Sequence, residues 1–128
     1  MVDASVVVEM LVFGEHEAAA RERLAGGQEP LWAPELLDAE VGQALRRAVR
    51  RGDLKPGQAT HALEELREIP VHRITHELLV GYAWALRDRV SFYDALYVAL
   101  AEMLGEPLIT VDARLGRAGV EAEVEVLA

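Results

Sequence analysis

Apolar residues recur along this chain with two periods, and the points where the period changes divide it into elements. Met1 to Asp3 predicts a short first strand. A helix follows from about Ala4 to Phe13, then another from Glu15 to Ala25, ended by Gly26 and Gly27. Leu31 to Ala33 predicts a second strand. Pro34 is expected to open a helix to about Arg51, closed by Gly52, because proline has no amide to lose in a first helical turn. Pro56 starts the next helix, which ends before Pro70, and Val71 to Ile74 is strand-like. Thr75, Leu78, Leu79, Tyr82, Ala83 and Leu86 have helical spacing. From Ser91 to Leu104 the pattern is helical again, and its seven consecutive residues ALYVALA, Ala95 to Ala101, predict burial on more than one side. Gly105 ends it. Leu108 to Val111 reads as a buried strand. Val120 to Leu127, where Glu121, Glu123 and Glu125 alternate with apolar residues, reads as a half-exposed one. Short strands separated by helices predict an α/β fold, a central, mainly parallel sheet with helices on both faces. Its ligand crevice should lie at the carboxyl ends of the strands.

The chain has 128 residues, enough for one domain spanning 1–128 with its own apolar core. It has no cysteine, which excludes disulfides and cysteine-ligated zinc. The first twenty residues lack a basic leader and carry Asp3 and Glu9, and no apolar run is long enough to span a membrane, so a cytoplasmic protein is expected. Thirteen basic against twenty-two acidic side chains leave a net charge of -9, which repels nucleic acid at long range. Any phosphate chemistry therefore needs a local cation.

Four acids stand where such a cation is plausible. Asp3 and Asp112 each fall where a predicted strand gives way to a helix, and each has two readings: a helix cap, or a carboxylate projecting into the crevice. Glu40 lies at the edge of the apolar face carrying Leu37, Val41, Leu45 and Ala48. A carboxylate there needs an arginine, a metal ion or a raised pKa. Asp94 follows Ser91 by three, the spacing of a capping box, and it opens the most apolar helix of the chain. Carboxylates gathered a few ångströms apart repel by roughly 3 kcal/mol per pair at an effective dielectric near 20. An all-oxygen cluster of this kind asks for a hard cation, Mg²⁺ first and Mn²⁺ second, and suits phosphodiester hydrolysis by metal-activated water.

Three segments, DAS at Asp3 to Ser5, ELLDAEVGQALRR from Glu35 to Arg47 and SFYDALYVALAEMLGEPLITVDARL from Ser91 to Leu115, resemble the PIN-domain ribonucleases, VapC toxins in particular. The resemblance runs over nearly the whole chain and is most specific between Ser91 and Leu115. It implies a three-layer α/β/α PIN fold and an acidic quartet of Asp3, Glu40, Asp94 and Asp112 on Mg²⁺ or Mn²⁺. It also implies cleavage of RNA, a homodimer, and neutralisation by a VapB-type antitoxin through which DNA is met only indirectly. Two residues precede Asp3, fewer than the first strand common in that family; Gln43 replaces a frequent Asn, and Gly116 a polar residue found in some relatives.

Around the quartet, the resemblance suggests Ser5 and Thr110 as hydroxyls supporting the metal shell, against a local backbone role. Arg47 and Arg51, seven and eleven residues beyond Glu40 on nearly one helix face, and Arg114, two beyond Asp112, are candidates for RNA phosphate. His16, His61, His72 and His76 lack ligand spacing beyond the His72/His76 pair and are assigned no role. Trp32, Trp84, Tyr82, Tyr93 and Tyr97 sit in apolar segments and are read as core or dimer contacts rather than base-stacking platforms, and the Glu121, Glu123, Glu125 row as a solvated strand face. The competing function is a catalytically weak PIN-fold module that acts by binding an antitoxin and, through it, DNA. Another phosphoryl-transfer enzyme ranks lower, since no D-x-D follows the first strand and no phosphate-binding glycine loop is present.

Overall fold

A computed structural model describes residues 1–12, 14–25 and 30–127. Its elements in order are α1 (Ala4–Leu11), α2 (Glu17–Ala25), β1 (Leu31–Pro34), α3 (Leu36–Arg50), α4 (Pro56–Glu68), β2 (Val71–Ile74), a 3₁₀ turn (His76–Leu78), α5 (Val80–Ala85), α6 (Phe92–Leu104), β3 (Leu108–Thr110), α7 (Ala113–Gly116) and β4 (Val124–Val126). The expected helix end at Phe13 and the stop at Gly26 and Gly27 lie outside the described residues.

The strands pair in parallel, β1 with β2 and β3 with β4. Residues 1–3 stitch the two pairs together. The Val2 amide donates to the Trp32 carbonyl at 3.2 Å, while the Ile109 amide donates to Met1 O and the Asp3 amide to Ile109 O, both at 3.0 Å. The predicted first strand is thus reduced to a single bridge, Val2 opposite Ile109. It suffices to make one parallel platform, with Asp3 at the end of its central segment.

Helices cover both faces of this platform, giving the three-layer α/β fold. Side-chain alternation along β3 shows the two sides: Ile109 packs with Val6, Met10 and Ala20 of α1 and α2, whereas Leu108 belongs to the larger core that holds α6. All seven residues from Ala95 to Ala101 are buried, as the uninterrupted apolar run predicts. Gly105, at φ 66°, ends that helix in the left-handed conformation glycine adopts without penalty.

Three boundaries differ from expectation. Pro34 does not open α3 but closes β1, because the next amide, Glu35 N, still donates across the sheet to Ile74 O at 2.9 Å. The helix expected over Thr75 to Leu86 splits into the 3₁₀ turn and the six-residue α5, since only Leu79, Ala83 and Leu86 are buried there, too narrow a stripe to hold a longer helix. The last strand is Val124–Val126 alone, and Glu125 on it is not simply solvated: both its oxygens accept from Arg23 Nε at 2.9 Å. Among the described residues no helix is long and apolar enough to cross a membrane.

Candidate functional site

The chain turns from the platform into α1 at Asp3 and from β3 into α7 at Asp112. Both occupy N-cap positions, yet they spend their carboxylates differently. Asp3, buried at 8% exposure, makes no side-chain cap. Its Oδ2 instead accepts from Thr110 Oγ1 at 2.7 Å and Ser5 Oγ at 2.9 Å. These hydroxyls are themselves oriented by amides: Asp112 N donates to Thr110 Oγ1 at 2.9 Å and Val111 N to Ser5 Oγ at 3.2 Å. Ser5 and Thr110 therefore form a fixed cradle for Asp3 and tie it to the start of α7.

Asp112 does act as a cap, accepting from Arg114 N at 2.9 Å. The same arginine closes over it in two-point fashion, Nε to Oδ1 at 3.1 Å and Nη2 to Oδ2 at 2.8 Å. That guanidinium holds the Asp112 carboxyl below its usual pKa.

Glu40 and Asp94 are in the opposite condition. Leu37, Val41 and Leu45 bury one face of α3, and Glu40 rides on the edge of that face, half-buried, towards Tyr97 of α6. Among the described residues it has no ion pair, so the arginine partner that sequence left open is absent. Burial pushes its pKa up, and the charges of Asp3 and Asp94 push it further. The Tyr97 hydroxyl draws it back in part, but from outside hydrogen-bond geometry: Glu40 Oε1 and Tyr97 Oη are both buried without a partner. The Tyr97 phenol, 1% exposed, is itself shifted far upward by burial and then by Glu40. Asp94 lies in the first turn of α6, where its amide donates to Ser91 Oγ at 3.2 Å, half of the expected capping box. Burial, opposed by Ser91 and assisted by Asp3 and Asp112, raises its pKa as well.

The four acids thus share one region, with Asp3 and Asp94 acting on each other's neighbours and Asp112 acting on Asp94. Among the described residues no three His, Cys, Asp or Glu side chains are arranged so that they could hold a metal ion, and Asp112 for one is engaged by Arg114. The donor set nonetheless fits a hard cation: carboxylate oxygens, one of them buried and orphaned, with like charges for company.

Of the candidate arginines, Arg47 reaches this region and lines a shallow cavity with Ala39, Glu40, Gln43 and Tyr93. Arg51 stands a turn further on and pairs with Asp53 at 3.0 Å. Arg114 is on Asp112. His72 packs against Trp32 with centroids 4.7 Å apart, and His76 lies 3.8 Å from Glu35. The aromatic residues divide: Tyr97 is core, whereas Trp84, Tyr82 and Tyr93 are on the surface. Sequence reading placed Tyr97 in the core or a dimer contact and noted Gln43 only as a replacement for Asn, giving neither a place beside Glu40. Their signal was helical spacing, Tyr97 three beyond Asp94 and Gln43 three beyond Glu40.

Compared with known proteins, the PIN domain family model matches residues 1–121. Ribonuclease VapC1 of Mycobacterium tuberculosis is 44% identical, over 99% of this chain and 96% of that protein. Ribonuclease VapC3 of the same organism is also 44% identical, over 92% and 85% respectively. The crystal structure of PAE2754 from Pyrobaculum aerophilum superposes with a TM-score of 0.64 at 25% identity, covering 96% of this chain and 87% of that one.

Proposed function

The chain belongs to the PIN-domain family, and from that premise we propose that it is a VapC-type toxin, an endoribonuclease that hydrolyses RNA phosphodiester bonds with Mg²⁺, or Mn²⁺ in its place. Asp3, Glu40, Asp94 and Asp112 are the residues that hold the ion. The observation that carries this reading is Glu40 Oε1, a buried carboxylate oxygen with no donor, set among acids that raise its pKa. A cation relieves both the missing partner and the like-charge repulsion. When bound, it lowers the pKa of a water and offsets charge on the reacting phosphate.

The protein's own part is placement. Ser5 and Thr110 hold Asp3 by Oδ2, so this carboxylate needs little reorganisation. Asp94 is carried by the most deeply buried helix and offered at its N-terminus. Asp112 would hold the ion on oxygens that Arg114 now occupies, and that exposed guanidinium would then be available to an RNA phosphate. Arg47 supplies positive charge on the Glu40 side. With a net charge of -9, attraction of RNA is local, and it weakens as salt rises. The names of the relatives support a VapB-type antitoxin as the neutralising partner; a homodimer, and DNA met only through the antitoxin, belong to the same proposal.

The test is incubation of metal-stripped protein, free of antitoxin, with a structured RNA pool, with and without Mg²⁺ or Mn²⁺. Discrete metal-dependent cuts are expected, reduced at least about a hundredfold in Asp94→Asn. A folded wild type that neither cuts nor binds metal by calorimetry would overturn the proposal in favour of a binding module.

A further inference from the structure

The cavity beside Glu40 has a volume of about 270 Å³ and is lined by Ala39, Glu40, Gln43, Arg47 and Tyr93. Glu40, Gln43 and Arg47 follow one another along α3 at intervals of three and four residues, so they form a single row. Facing them is Tyr93, one residue before Asp94, at 63% exposure. Its neighbour Phe92 meets Trp84 edge-on at 6.4 Å, but among the described residues the Tyr93 ring packs on no other aromatic ring. The side chains of Gln43 and Arg47 likewise make no hydrogen bond or ion pair among the described residues. An aromatic face, an amide and a guanidinium are therefore all unspent, against the wall of the acidic cluster.

A single nucleotide uses these three groups together. A base stacks on an aromatic face, its edge pairs with an amide, and its phosphate pairs with a guanidinium. Protein apolar groups fit poorly, because they would seal Glu40 away from water without a partner, whereas an RNA strand arrives together with the cation that neutralises it. Stacking also answers the net charge of -9, since it is short-ranged and independent of the long-range repulsion.

We propose that this cavity receives one nucleotide of single-stranded RNA next to the cleaved phosphate, its base stacked on Tyr93, its edge met by Gln43 and its backbone phosphate on Arg47. The proposal rests on the ribonuclease reading and adds a subsite to it. Tyr93 is a substrate-contacting residue here, not a core or dimer contact.

The experiment measures anisotropy of a fluorescently labelled, mixed-sequence single-stranded RNA pool across a salt series, with Ca²⁺ standing in for Mg²⁺ to limit cleavage. Tyr93→Ala is expected to weaken binding about tenfold with an unchanged salt slope, while Tyr93→Phe stays within about twofold of wild type. Arg47→Ala is expected to weaken binding and to reduce the slope of log affinity against log salt by about 0.7, one phosphate contact on a single strand. Circular dichroism and gel filtration accompany each variant. Equal affinity of wild type and Tyr93→Ala, a Tyr93→Phe as weak as the alanine variant, or a change of oligomeric state in Tyr93→Ala in place of lost RNA affinity would overturn the subsite. If wild type still cuts RNA in those cases, the ribonuclease reading stands. A wild type that neither binds nor cuts RNA removes that reading and this one with it.

Discussion

The two halves of the acidic cluster are built on opposite terms. At the corner where residues 1–3 meet β3, every carboxylate has donors: Asp3 has two hydroxyls and Asp112 an amide and a two-point guanidinium. At the contact of α3 with α6, Glu40 and Asp94 are desolvated, raised in pKa, and at Glu40 Oε1 without any donor. The first half is a finished structure that presents a carboxylate. The second is an unfinished one that remains costly until something positive arrives. The comparison teaches where the free energy of ion binding should come from: relief at α3 and α6 more than new order at the β3 corner.

The hardest test of that contrast is Glu40→Gln. In the unfinished half, removing a charge is expected to lower Mn²⁺ affinity at least about a hundredfold by calorimetry, and yet to stabilise the metal-free protein at neutral pH by about 1 kcal/mol in urea titrations. The sign follows from linkage. Glu40 and Asp94 have folded pKa values above the ordinary ones, so the folded state keeps their protons longer than the unfolded chain does. Their penalty is absent below the ordinary carboxylate range and grows as pH rises through it towards the raised values. Metal-free stability is expected to fall across that window, less in Glu40→Gln, and excess Mg²⁺ is expected to cancel the fall. Asp112 runs the other way: its contribution is present above the ordinary pKa and is lost as pH drops through the lowered one.

A smaller effect is expected from Tyr97→Phe, which removes a buried hydroxyl that has no partner. If Tyr97 steadies Glu40 once that carboxylate is charged, Mn²⁺ affinity should drop about tenfold, while metal-free stability should hold or rise by up to about 1 kcal/mol. A purely structural tyrosine would instead lose stability and leave metal affinity alone. The smallest effect belongs to the satisfied half. Arg114→Ala frees Asp112 and is expected to tighten Mg²⁺ binding by about twofold, the scale of an exposed ion pair. A tenfold change there would mean that the two halves are not as distinct as their hydrogen bonds indicate.

Much of this was legible in the residues. Gly105 stops α6 as its position predicts, ALYVALA is buried throughout, and the acids at the strand-to-helix junctions stand at the corners expected of them. The failures have local causes. Proline favours a first helical turn, but at Pro34 a sheet hydrogen bond from the following residue kept the chain extended. A helical spacing from Thr75 to Leu86 produced only a short α5, because spacing cannot reveal how many of those residues find a surface to pack on. Alternating glutamates looked solvated, and one of them is held by an arginine 102 residues away.

The sequence by itself determined most of the helices and strands and which acids sit at their junctions, since those depend mainly on neighbours within a few turns. Only the tertiary structure decided which acids are satisfied and which are not. Thr110 reaches Asp3 across 107 residues of chain, and Tyr97 comes to Glu40 from a different helix. A carboxylate's charge state depends on burial and on the donors within a few ångströms, and both are set by what folding brings together from distant parts of the chain.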